Sequence, residues 1–462
     1  MFTHDDIMRA TMARASGSVI HVTGVSTDSR SVKAGELFVA LRGELFDGHM
    51  FAGDAVRRGA AAIVSERALD VAVPQYLVDD TLAAYHALAK YHRGRFAMPV
   101  IGITGTNGKT TVKELVAALL ARVGTPLRSE GNFNNHVGVP LTLLQLHDEH
   151  THAVIEMGMN HPGEIHVLTT LVMPSVAVIT NIGRGHLEHL HTLENILAAK
   201  LEILDGLVPG GTVVVPRDSS YFEQMRRAAE ALNARVVSFG TSPQADVSFA
   251  PRHVDANGTL GVLQCGGETR EMRVPLPGAH NACNTAAALA AVRAVEPAFP
   301  LSTAAETLAD FAPVSMRCQL EHVQGMDVLV DCYNANPESV LAALHLLAAH
   351  AAGGRRIAIL GEMHELGAAS AQCHCDVGIA AARTGVSELL ALGAHAADIA
   401  AGAREAGMPQ EHIHLALDAE HAVQVLDRVA KQGDCILLKG SRLARMEDIL
   451  EKMRRTLFCA VS

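Results

Sequence analysis

A glycine-rich segment with one lysine is the part of the chain whose residue types and spacing best suit phosphate chemistry. It reads Gly105-Thr106-Asn107-Gly108-Lys109-Thr110-Thr111. Glycines let backbone N–H groups surround phosphate oxygens, Lys109 can reach the β- and γ-phosphates, and the Thr110 hydroxyl can bind Mg²⁺. The spacing departs from the strict GxxxxGK[ST] pattern because position 103 is isoleucine. A glycine turn with a solvated lysine is the alternative interpretation.

The loop alone does not identify the reaction, because NTPases, kinases, GTPases and ligases all use such loops. Other residues are needed to distinguish these classes. The chain contains no NKxD-like guanine motif, which disfavours a GTPase. Glu156 ends the expected strand Ala153–Met157, and His186 follows the expected strand Val176–Thr180. Ligands of doubly wound sheets collect at the carboxyl ends of strands, so both side chains are expected to face the loop. Glu156 suits Mg²⁺, whereas one of 25 histidines is weak support by itself.

A lysine on an apolar helix stripe is a further candidate. Lys200 shares a face of the expected helix Leu193–Leu207 with leucine and isoleucine side chains. It either extends along the helix to reach water or is held inward beside a charged site. The residues alone favour the first interpretation.

Two polar segments of the last third of the chain each follow an expected strand. In the first, Asn336 suits a helix N-cap with Pro337 at the first helical position, which leaves Asp331, Tyr333 and Asn334 unexplained. The second, Lys439-Gly440-Ser441-Arg442, combines two cations with a helix start, an arrangement that favours an anion.

The elements that position these residues indicate an α/β protein of three domains. We expect a smaller N-terminal α/β domain (1–98), a central mostly parallel sheet with the phosphate loop (99–312) and a C-terminal Rossmann-like domain (313–462). Residues 245–275 are expected to be rich in β structure. The expected strands are Val19–Val22, Leu37–Leu41, Ala61–Val64, Tyr76–Val78, Val100–Thr104, Ala153–Met157, Val176–Thr180, Val213–Val215, Val236–Phe239, Asp327–Asp331, Arg356–Leu360, Glu388–Leu392 and Cys435–Lys439. The expected helices are Thr81–Phe96, Thr110–Arg122, Leu193–Leu207, Asn281–Val295 and stretches near 338–350, 371–383, 395–406, 419–431 and 443–456.

Composition narrows the function classes. The 462 residues carry a formal charge of −11, which argues against broad binding of nucleic acid or anionic membrane. No apolar run approaches the roughly 18 residues of a membrane helix, and the first residues do not resemble a signal peptide. Sparse cysteines, all from Cys265 onward, indicate reduced thiols and a cytoplasmic protein. Cys373-His374-Cys375 lacks a second ligand pair at zinc spacing, so no zinc site is predicted.

Taken in order, the motifs resemble one family over almost the whole chain, the ATP-dependent Mur ligases. The motifs that carry the resemblance are Ser26-Thr27-Asp28-Ser29-Arg30, Gly35–Leu41, Asp47-Gly48-His49, Gly105–Thr111, Glu130–Pro140, Glu156-Met157-Gly158 with Gly163-Glu164-Ile165, Asp331-Cys332-Tyr333-Asn334-Ala335-Asn336-Pro337, Leu360-Gly361-Glu362-Met363 with Glu365-Leu366-Gly367, and Lys439-Gly440-Ser441-Arg442. The resemblance implies an acid–amine ligase that works through an acyl phosphate. Its implied substrates are ATP, UDP-N-acetylmuramoyl-tripeptide and D-alanyl-D-alanine, and the chain is expected to act as a monomer.

The resemblance also implies residue roles. Lys109 would hold the ATP phosphates, while Thr110, Glu156 and His186 would bind two Mg²⁺ ions together with Lys200, which most of the family carries as a carbamate. His280, Asn281, Asn284, Arg317 and Asp331 would contact the nucleotide, the last two as the C-terminal domain closes over ATP. The residues expected to bind the other substrates are Ser29, Arg30, Asp47, Gly48, His49, Asn134, Asn135, Tyr333, Asn334, Asn336, Lys439, Ser441 and Arg442.

Two neighbours of the metal candidates depart from the family pattern. Leu201 stands where glycine is common after the lysine, and His191 where glycine is common after His186. A sibling ligase or a folylpolyglutamate synthase shares the loop and the metal residues. The first domain and the Asp331–Pro337 motif argue against a folate enzyme. A nucleotide-binding module without ligase activity is the alternative from another class.

Overall fold

The structure, a computed structural model, describes residues 1–16, 20–43, 46–255, 257–350 and 354–456. Its strands and helices alternate along most of the chain, and helices cover the faces of large, mostly parallel sheets. The predicted α/β class is therefore confirmed. The expected domain boundaries stay predictions; we use them to name a first region (1–98), a central region (99–312) and a third region (313–456). Val19 and Cys459 lie outside the described residues.

Strands and helices have the following bounds. The strands are β1 (Phe2–Thr3), β2 (Arg14–Ser16), β3 (His21–Val22), β4 (Val25–Ser26), β5 (Leu37–Val39), β6 (Ala62–Ser65), β7 (Gln75–Leu77), β8 (Val100–Thr104), β9 (Pro126–Arg128), β10 (His152–Glu156), β11 (Val176–Ile179), β12 (Thr212–Pro216), β13 (Arg235–Gly240), β14 (Val247–Asp255), β15 (Gly258–Cys265), β16 (Glu268–Val274), β17 (Gln319–Val323), β18 (Met326–Asp331), β19 (Arg356–Leu360), β20 (Glu388–Leu392), β21 (Ile413–Ala416) and β22 (Cys435–Lys439). The α-helices are α1 (His4–Thr11), α2 (Ala52–Arg57), α3 (Thr81–Arg93), α4 (Lys109–Leu120), α5 (Gly138–Leu143), α6 (Glu164–Val172), α7 (Leu187–Leu190), α8 (Leu193–Leu201), α9 (Phe222–Ala231), α10 (Ala279–Val295), α11 (Leu301–Ala309), α12 (Pro337–Ala349), α13 (Ser370–Arg383), α14 (Ala396–Glu405), α15 (Ala419–Val429) and α16 (Glu447–Thr456). Short 3₁₀ helices cover Gly48–Phe51, Glu202–Gly206, Gly367–Ala369, Gln410–His412 and Arg442–Ala444.

The central sheet places the phosphate loop between the ends of two other strands. Its order is β16-β15-β14-β13-β12-β11-β8-β10-β9, parallel from β9 to β14 and antiparallel through β15 and β16. Strand β8 lies between β10 and β11, so the segments that follow these three strands emerge at one edge. This strand order brings two side chains close to the loop after β8. They are Glu156, at the end of β10, and His186, in the segment after β11.

Side chains on β8 alternate between two cores because successive residues of a strand face opposite sides of the sheet. Val100 packs into the core that continues into the first region, whereas Ile101 and Ile103 pack with α4 and α10 on the other face. The first region also meets the central region through Tyr85, whose hydroxyl donates to the Val137 carbonyl at 3.2 Å. Its larger sheet has the order β2-β7-β6-β5-β4.

The third sheet brings together the two polar segments that the sequence singles out. Its order is β17-β18-β22-β19-β20-β21, with β17 alone antiparallel to its neighbour. Asp331 at the end of β18 lies in register with Lys439 at the end of β22. Parallel pairing therefore puts the acid and the cation side by side at the edge that faces the central region.

The expected bounds of several strands and helices agree with the structure, and those of others do not. The bounds expected for β8, β19, β20 and β22 are confirmed, as is the β-rich stretch, which forms β14 to β16. The helix expected to reach Leu207 is wrong at its end, since α8 stops at Leu201 and a 3₁₀ helix follows. Within the described residues, no helix is both long and apolar enough to cross a membrane.

Candidate active site

A cavity of about 470 Å³ lies between the central and third regions at the carboxyl ends of β8, β10, β18 and β22. Most of the predicted site residues line it. Those that do are Thr106, Asn107, Gly108, Lys109, Thr110, Thr111, Asn134, Glu156, His186, His280, Asn281, Asn284, Arg317, Asp331, Tyr333, Asn334, Asn336, Lys439, Ser441 and Arg442. Residues separated by more than 300 positions in the sequence thus share one cavity.

The loop between β8 and α4 has the backbone conformation of a phosphate cradle. Gly105 has a φ of +142° and Gly108 a φ of +82°, values that disfavour L side chains. A Cβ on Gly105 would lie 1.9 Å from the Thr180 hydroxyl, and one on Gly108 would lie 2.3 Å from the Asn284 side-chain oxygen. Both glycines are required by close packing, and the loop ends at the N-terminus of α4, where backbone N–H groups favour an anion.

Lys109 is held over this loop. Its Nζ donates to the carbonyl oxygens of Gly105 at 2.7 Å and Thr106 at 3.2 Å. Burial lowers the pKa of Lys109, and the charge of Glu156 opposes that shift. The ammonium group folds back onto the loop that it would share with a phosphate, which disfavours the solvated lysine of the alternative interpretation.

Glu156 offers a free carboxylate oxygen beside the loop. Its side chain is almost fully buried, and Oε1 accepts from Asn134 Nδ2 at 2.8 Å. Among the described residues, Oε2 has no hydrogen-bond partner, and the nearest cation, Lys113 Nζ, is 3.8 Å away. Leaving a buried carboxylate oxygen without a partner is unfavourable, so this atom fits a site for a cation.

Lys113, which the sequence interpretation missed, does not line the cavity but lies behind Glu156. Its side chain is fully buried one helical turn after Lys109, and Nζ donates to the Gly131 carbonyl at 2.9 Å. The same ammonium group lies 3.1 Å from Glu114 Oε1. Its position four residues after Lys109 places both lysines on one face of α4. This spacing could have pointed to Lys113 from the sequence. Lys113 thus ties the phosphate helix to the loop that carries Asn134.

Lys200 points inward, against the interpretation that the residues alone favour. It is fully buried, and its Nζ finds no hydrogen-bond partner in the part of the chain that the structure describes. Burial and the positive charge of Lys109 lower the pKa of Lys200 well below its ordinary value. The stripe on α8 is covered by the core, so the side chain cannot extend to water. An uncharged amine is the form that such a site favours.

His186 lies at the start of α7 with a φ of +62°. Burial lowers its pKa, and the nearby Glu365 carboxylate opposes that effect. Within the described ranges, no group of three or more His, Cys, Asp or Glu residues could hold a metal ion. An ion near Glu156 and His186 would therefore need ligands from a bound phosphate as well.

The third region supplies cations on the opposite wall of the cavity. Arg317 donates to the Thr110 hydroxyl at 3.1 Å, and its guanidinium lies 4.3 Å from the centre of the Tyr333 ring. Lys439 Nζ lies 2.8 Å from Asp331 Oδ2 and donates to the Asn334 carbonyl at 2.8 Å. These contacts position a guanidinium and a buried ammonium group toward the space above the phosphate loop.

Three residues of α10 that are predicted to contact the nucleotide, His280, Asn281 and Asn284, line the cavity together with the loop. Asn281 Nδ2 donates to the Pro277 carbonyl at 2.8 Å, and Asn284 Nδ2 donates to Asn281 Oδ1 at 3.0 Å. Burial lowers the pKa of His280. The two amides brace each other, which fixes the Asn284 oxygen against Gly108.

Contacts across the cavity join the central and third regions directly. The side chains of Asn107 and Asn336 exchange hydrogen bonds of 3.1 and 2.8 Å. Arg184 donates to Glu338 at 2.8 Å, and His186 Nδ1 lies 2.5 Å from Glu365 Oε2. The third region therefore lies against the loop through uncharged and charged pairs.

Some predicted substrate residues lie elsewhere. Asn135 accepts from two N–H groups at the start of α5, and Ser29 and Arg30 line a separate pocket of about 400 Å³ in the first region. His49 is buried, with its Nδ1 2.6 Å from Asp47 Oδ1 and its Nε2 accepting from the Glu66 N–H at 2.9 Å. Their roles in substrate binding stay predictions.

Gly48 completes the turn in which Asp47 and His49 lie. A Cβ at Gly48 would lie 2.5 Å from the Leu41 carbonyl oxygen, so the chain passes too closely for a larger residue. The packing of this turn accounts for the motif without a ligand. A substrate role for Gly48 also stays a prediction.

Comparison with known proteins agrees with this geometry. Family models match in three successive segments: "Mur ligase family, catalytic domain" at residues 21–123, "Mur ligase middle domain" at 103–292 and "Mur ligase, glutamate ligase domain" at 316–442. The chain is 36% identical over 450 residues to the UDP-N-acetylmuramoyl-tripeptide–D-alanyl-D-alanine ligase of Escherichia coli K12, covering 96% of both chains. It is 32% identical to the ligase of the same name from Bacillus subtilis 168, covering 97% of this chain and 96% of that one.

Solved structures are similar over the same extent. The fold matches a crystal structure of MurF from Acinetobacter baumannii with a TM-score of 0.91 and 30% identity, covering 98% of this chain and 99% of that one. It also matches MurF from Thermotoga maritima in complex with ADP, with a TM-score of 0.84 and 27% identity, covering 94% of this chain and 98% of that one. Both the sequence and the fold lead to the same conclusion: the chain belongs to the Mur ligase family.

Proposed function

We propose that the protein joins D-alanyl-D-alanine to UDP-N-acetylmuramoyl-tripeptide with cleavage of ATP to ADP and phosphate, in the synthesis of peptidoglycan precursors. The cavity between the central and third regions carries the proposal. It combines a phosphate loop and a free carboxylate oxygen on one wall with cations on the other. The relatives named for this reaction match 96% and 97% of this chain.

The chemistry follows from the poor reactivity of a carboxylate toward an amine. A carboxylate oxygen of the tripeptide attacks the γ-phosphorus of ATP, and the bond to the ADP oxygen breaks. Lys109, the N-terminus of α4 and Arg317 offset the negative charge on the phosphoryl group as it transfers. The amine of the dipeptide then attacks the acyl carbon, phosphate leaves with the bonding electron pair, and the amine loses a proton to give the amide.

Exclusion of water is the second requirement, because an acyl phosphate hydrolyses readily. The third region already contacts the phosphate loop through Asn107 and Asn336, which closes one side of the cavity. Tyr333, Asn334, Lys439, Ser441 and Arg442 lie on that side. We assign the dipeptide to this wall and the uridine nucleotide to Ser29, Arg30 and the Asp47–His49 turn of the first region.

Magnesium is part of the proposal, and the residues present fit it. Glu156 has a buried oxygen without a hydrogen-bond partner among the described residues, and Thr110 and His186 line the same cavity. These three residues would hold two Mg²⁺ ions together with the ATP phosphates. Bound Mg²⁺ supplies Lewis-acid stabilisation of the phosphate charge.

Carbamylation of Lys200 is a further part of the proposal. A carbamate forms when an uncharged amine attacks CO₂ and releases a proton to solvent, and burial beside Lys109 keeps the Lys200 amine uncharged at a lower pH than usual. The product is an anion that can help to hold Mg²⁺. Protein equilibrated with ¹³C-bicarbonate should give a carbamate ¹³C signal that is absent from K200A. Equal signals from both proteins would contradict the modification.

We place the protein in the cytoplasm as a monomer. The seven cysteines of the described ranges are all free, which agrees with a reducing compartment.

Phosphate release with defined substrates tests the reaction. Purified protein with ATP, Mg²⁺ and UDP-N-acetylmuramoyl-tripeptide should release phosphate rapidly only when D-alanyl-D-alanine is added, and mass spectrometry should detect the UDP-linked pentapeptide. Diaminopimelate and glutamate, the acceptors of related ligases, serve as controls and should not replace the dipeptide. Phosphate release that is independent of any acceptor would instead support a simple NTPase.

A further inference from the structure

We propose that Glu365 of the third region is a positioning residue for His186, so that this metal ligand is oriented only while the third region lies against the central region. The proposal rests on the proposed role of His186 in holding Mg²⁺. Glu365 belongs to a motif whose function the mechanism above leaves open.

The side chains of the two residues meet across the boundary between regions. Glu365 Oε2 lies 2.5 Å from His186 Nδ1, and the His186 side chain is only 18% exposed. Among the described residues, Nδ1 has no aligned hydrogen bond, so the contact is a close electrostatic approach. The side-chain contact with His186 is in turn the principal cause that lowers the pKa of Glu365. Each side chain is therefore the main electrostatic partner of the other.

The backbones on either side of this contact also fit together. The Glu188 N–H donates to the Glu365 carbonyl at 3.0 Å. A Cβ on Gly367 would lie 3.0 Å from the Glu188 Cα, so helix α7 and this loop leave no space between them. Leu187, next to His186, packs against the hydrophobic core of the third region, in which Leu366 is buried. The position of the His186 backbone thus depends on the third region.

The orientation of the imidazole ring follows from these contacts. Because Nδ1 faces Glu365, Nε2 is the nitrogen that remains for a metal ion. A carboxylate beside one ring nitrogen of a metal-binding histidine fixes the tautomer and the direction of the other nitrogen. The carboxylate of Glu365 therefore fixes which ring nitrogen of His186 is left for a metal ion.

A second ionic contact between the same regions provides a matched control. Glu338 Oε1 accepts from Arg184 Nε at 2.8 Å, and Glu338 Oε2 accepts from the Arg184 N–H at 3.0 Å. This pair also joins the third region to the segment after β11, but through Arg184 instead of His186. The substitution E338Q weakens the contact between regions, whereas E365Q removes in addition the charge that faces the metal ligand.

The experiment measures Mn²⁺ binding to full-length protein saturated with ADP, by electron paramagnetic resonance of the free ion. We expect E365Q to raise the Mn²⁺ dissociation constant about tenfold, the usual effect of losing such a partner. E338Q should change the constant less than twofold, and E365Q should add nothing in an H186N background. The Nδ1-protonated tautomer of His186, seen by ¹⁵N NMR, should decrease in E365Q. Thermal unfolding checks that every variant is folded.

The outcomes separate this inference from the proposed function. If E365Q binds Mn²⁺ as well as the wild type while H186N binds it weakly, Glu365 does not position His186 and only this inference fails. If E365Q and E338Q weaken binding equally, the effect is one of contact between regions, which also overturns it. If H186N binds Mn²⁺ normally, or if the wild type binds none, the metal role of His186 fails and the inference fails with it.

Discussion

The cavity between the central and third regions differs from the predicted substrate surface of the first region in how its polar groups are satisfied. In the cavity, Glu156 Oε2 and Arg317 Nε have no hydrogen-bond partner among the described residues. In the first region, Asp28 pairs with Arg30 through both carboxylate oxygens, and Asp47 pairs with His49 and Arg67. The cavity residues lack hydrogen-bond partners that a ligand would supply. The first-region residues already form hydrogen bonds with one another.

This difference separates two reasons for which a polar motif can be present. A buried polar atom without a partner is destabilising, so it persists where a ligand compensates for it during function. A motif that satisfies its own hydrogen bonds can be explained by folding alone. The unpartnered atoms therefore favour a binding site in the cavity, while the first region needs functional measurements to separate structural residues from substrate contacts.

The largest expected effect is on catalysis within the cavity. The substitution K109A removes the ammonium group that the loop carbonyls hold beside the phosphate site. We expect kcat for ligation to fall by about 10³-fold, because one electrostatic donor to the transferring group is lost. Phosphate release and pentapeptide formation measure the effect, with circular dichroism as a check on folding. Undiminished ligation would place the phosphate site elsewhere.

The second prediction concerns the stability of the same cavity. K113M leaves Glu114 and the buried Glu156 without the ammonium group beside them, and we expect it to lower the free energy of unfolding by about 3 kcal/mol. Urea denaturation gives the measurement. K90M, at an exposed lysine of α3, is the control and should change stability by less than about 0.5 kcal/mol. Equal effects of the two substitutions would show that the buried charges are not coupled.

The third prediction tests two candidate substrate residues of the first region, His49 and Arg30, against each other. H49A leaves the Glu66 N–H without its acceptor and should lower the free energy of unfolding by about 2 kcal/mol. R30A, at an exposed side chain, should leave the melting temperature unchanged and raise KM for the uridine substrate about tenfold. The opposite pattern would make His49 the ligand and Arg30 the structural residue.

The smallest expected effect concerns backbone strain near the metal candidates. His191 has φ +65° and ψ −41°, a conformation that glycine adopts more easily. H191G should therefore raise the free energy of unfolding by about 1 kcal/mol, the strain less the added entropy of glycine in the unfolded chain. Differential scanning calorimetry measures the change. The same substitution at His189, inside α7, should instead lower stability, and a loss at both sites would contradict the strain.

Much of the fold and of the cavity follows from local sequence patterns. The apolar run Val100–Thr104, the glycine loop and the helix after it are visible in the sequence because strand, turn and helix each have distinct residue preferences. Two edge strands, Gln319–Val323 and Ile413–Ala416, are not among the expected elements. Both have mixed burial because one edge faces solvent, so neither forms the continuous apolar run by which buried strands are recognised.

Contacts between distant segments could not be predicted in this way. The motif that contains Glu365 was visible, but its approach to His186 depends on how two regions pack, which no local pattern encodes. Lys200 shows the same limit, since its helix stripe was compatible with either an inward or an outward side chain. Lys113 differs from these two residues, because its spacing from Lys109 is visible in the sequence. Its importance is recognised only when the structure shows that the side chain is buried.

The paired amides of Asn107 and Asn336 have a consequence for how the two regions respond to solution conditions. Amides carry no charge between pH 4 and 10, roughly, and their hydrogen bonds are little affected by added salt. The Arg184–Glu338 pair is partly exposed and is screened by salt. Added salt can therefore weaken the ionic contact between the third and central regions. The amide pair keeps the same alignment of the third region with the phosphate loop.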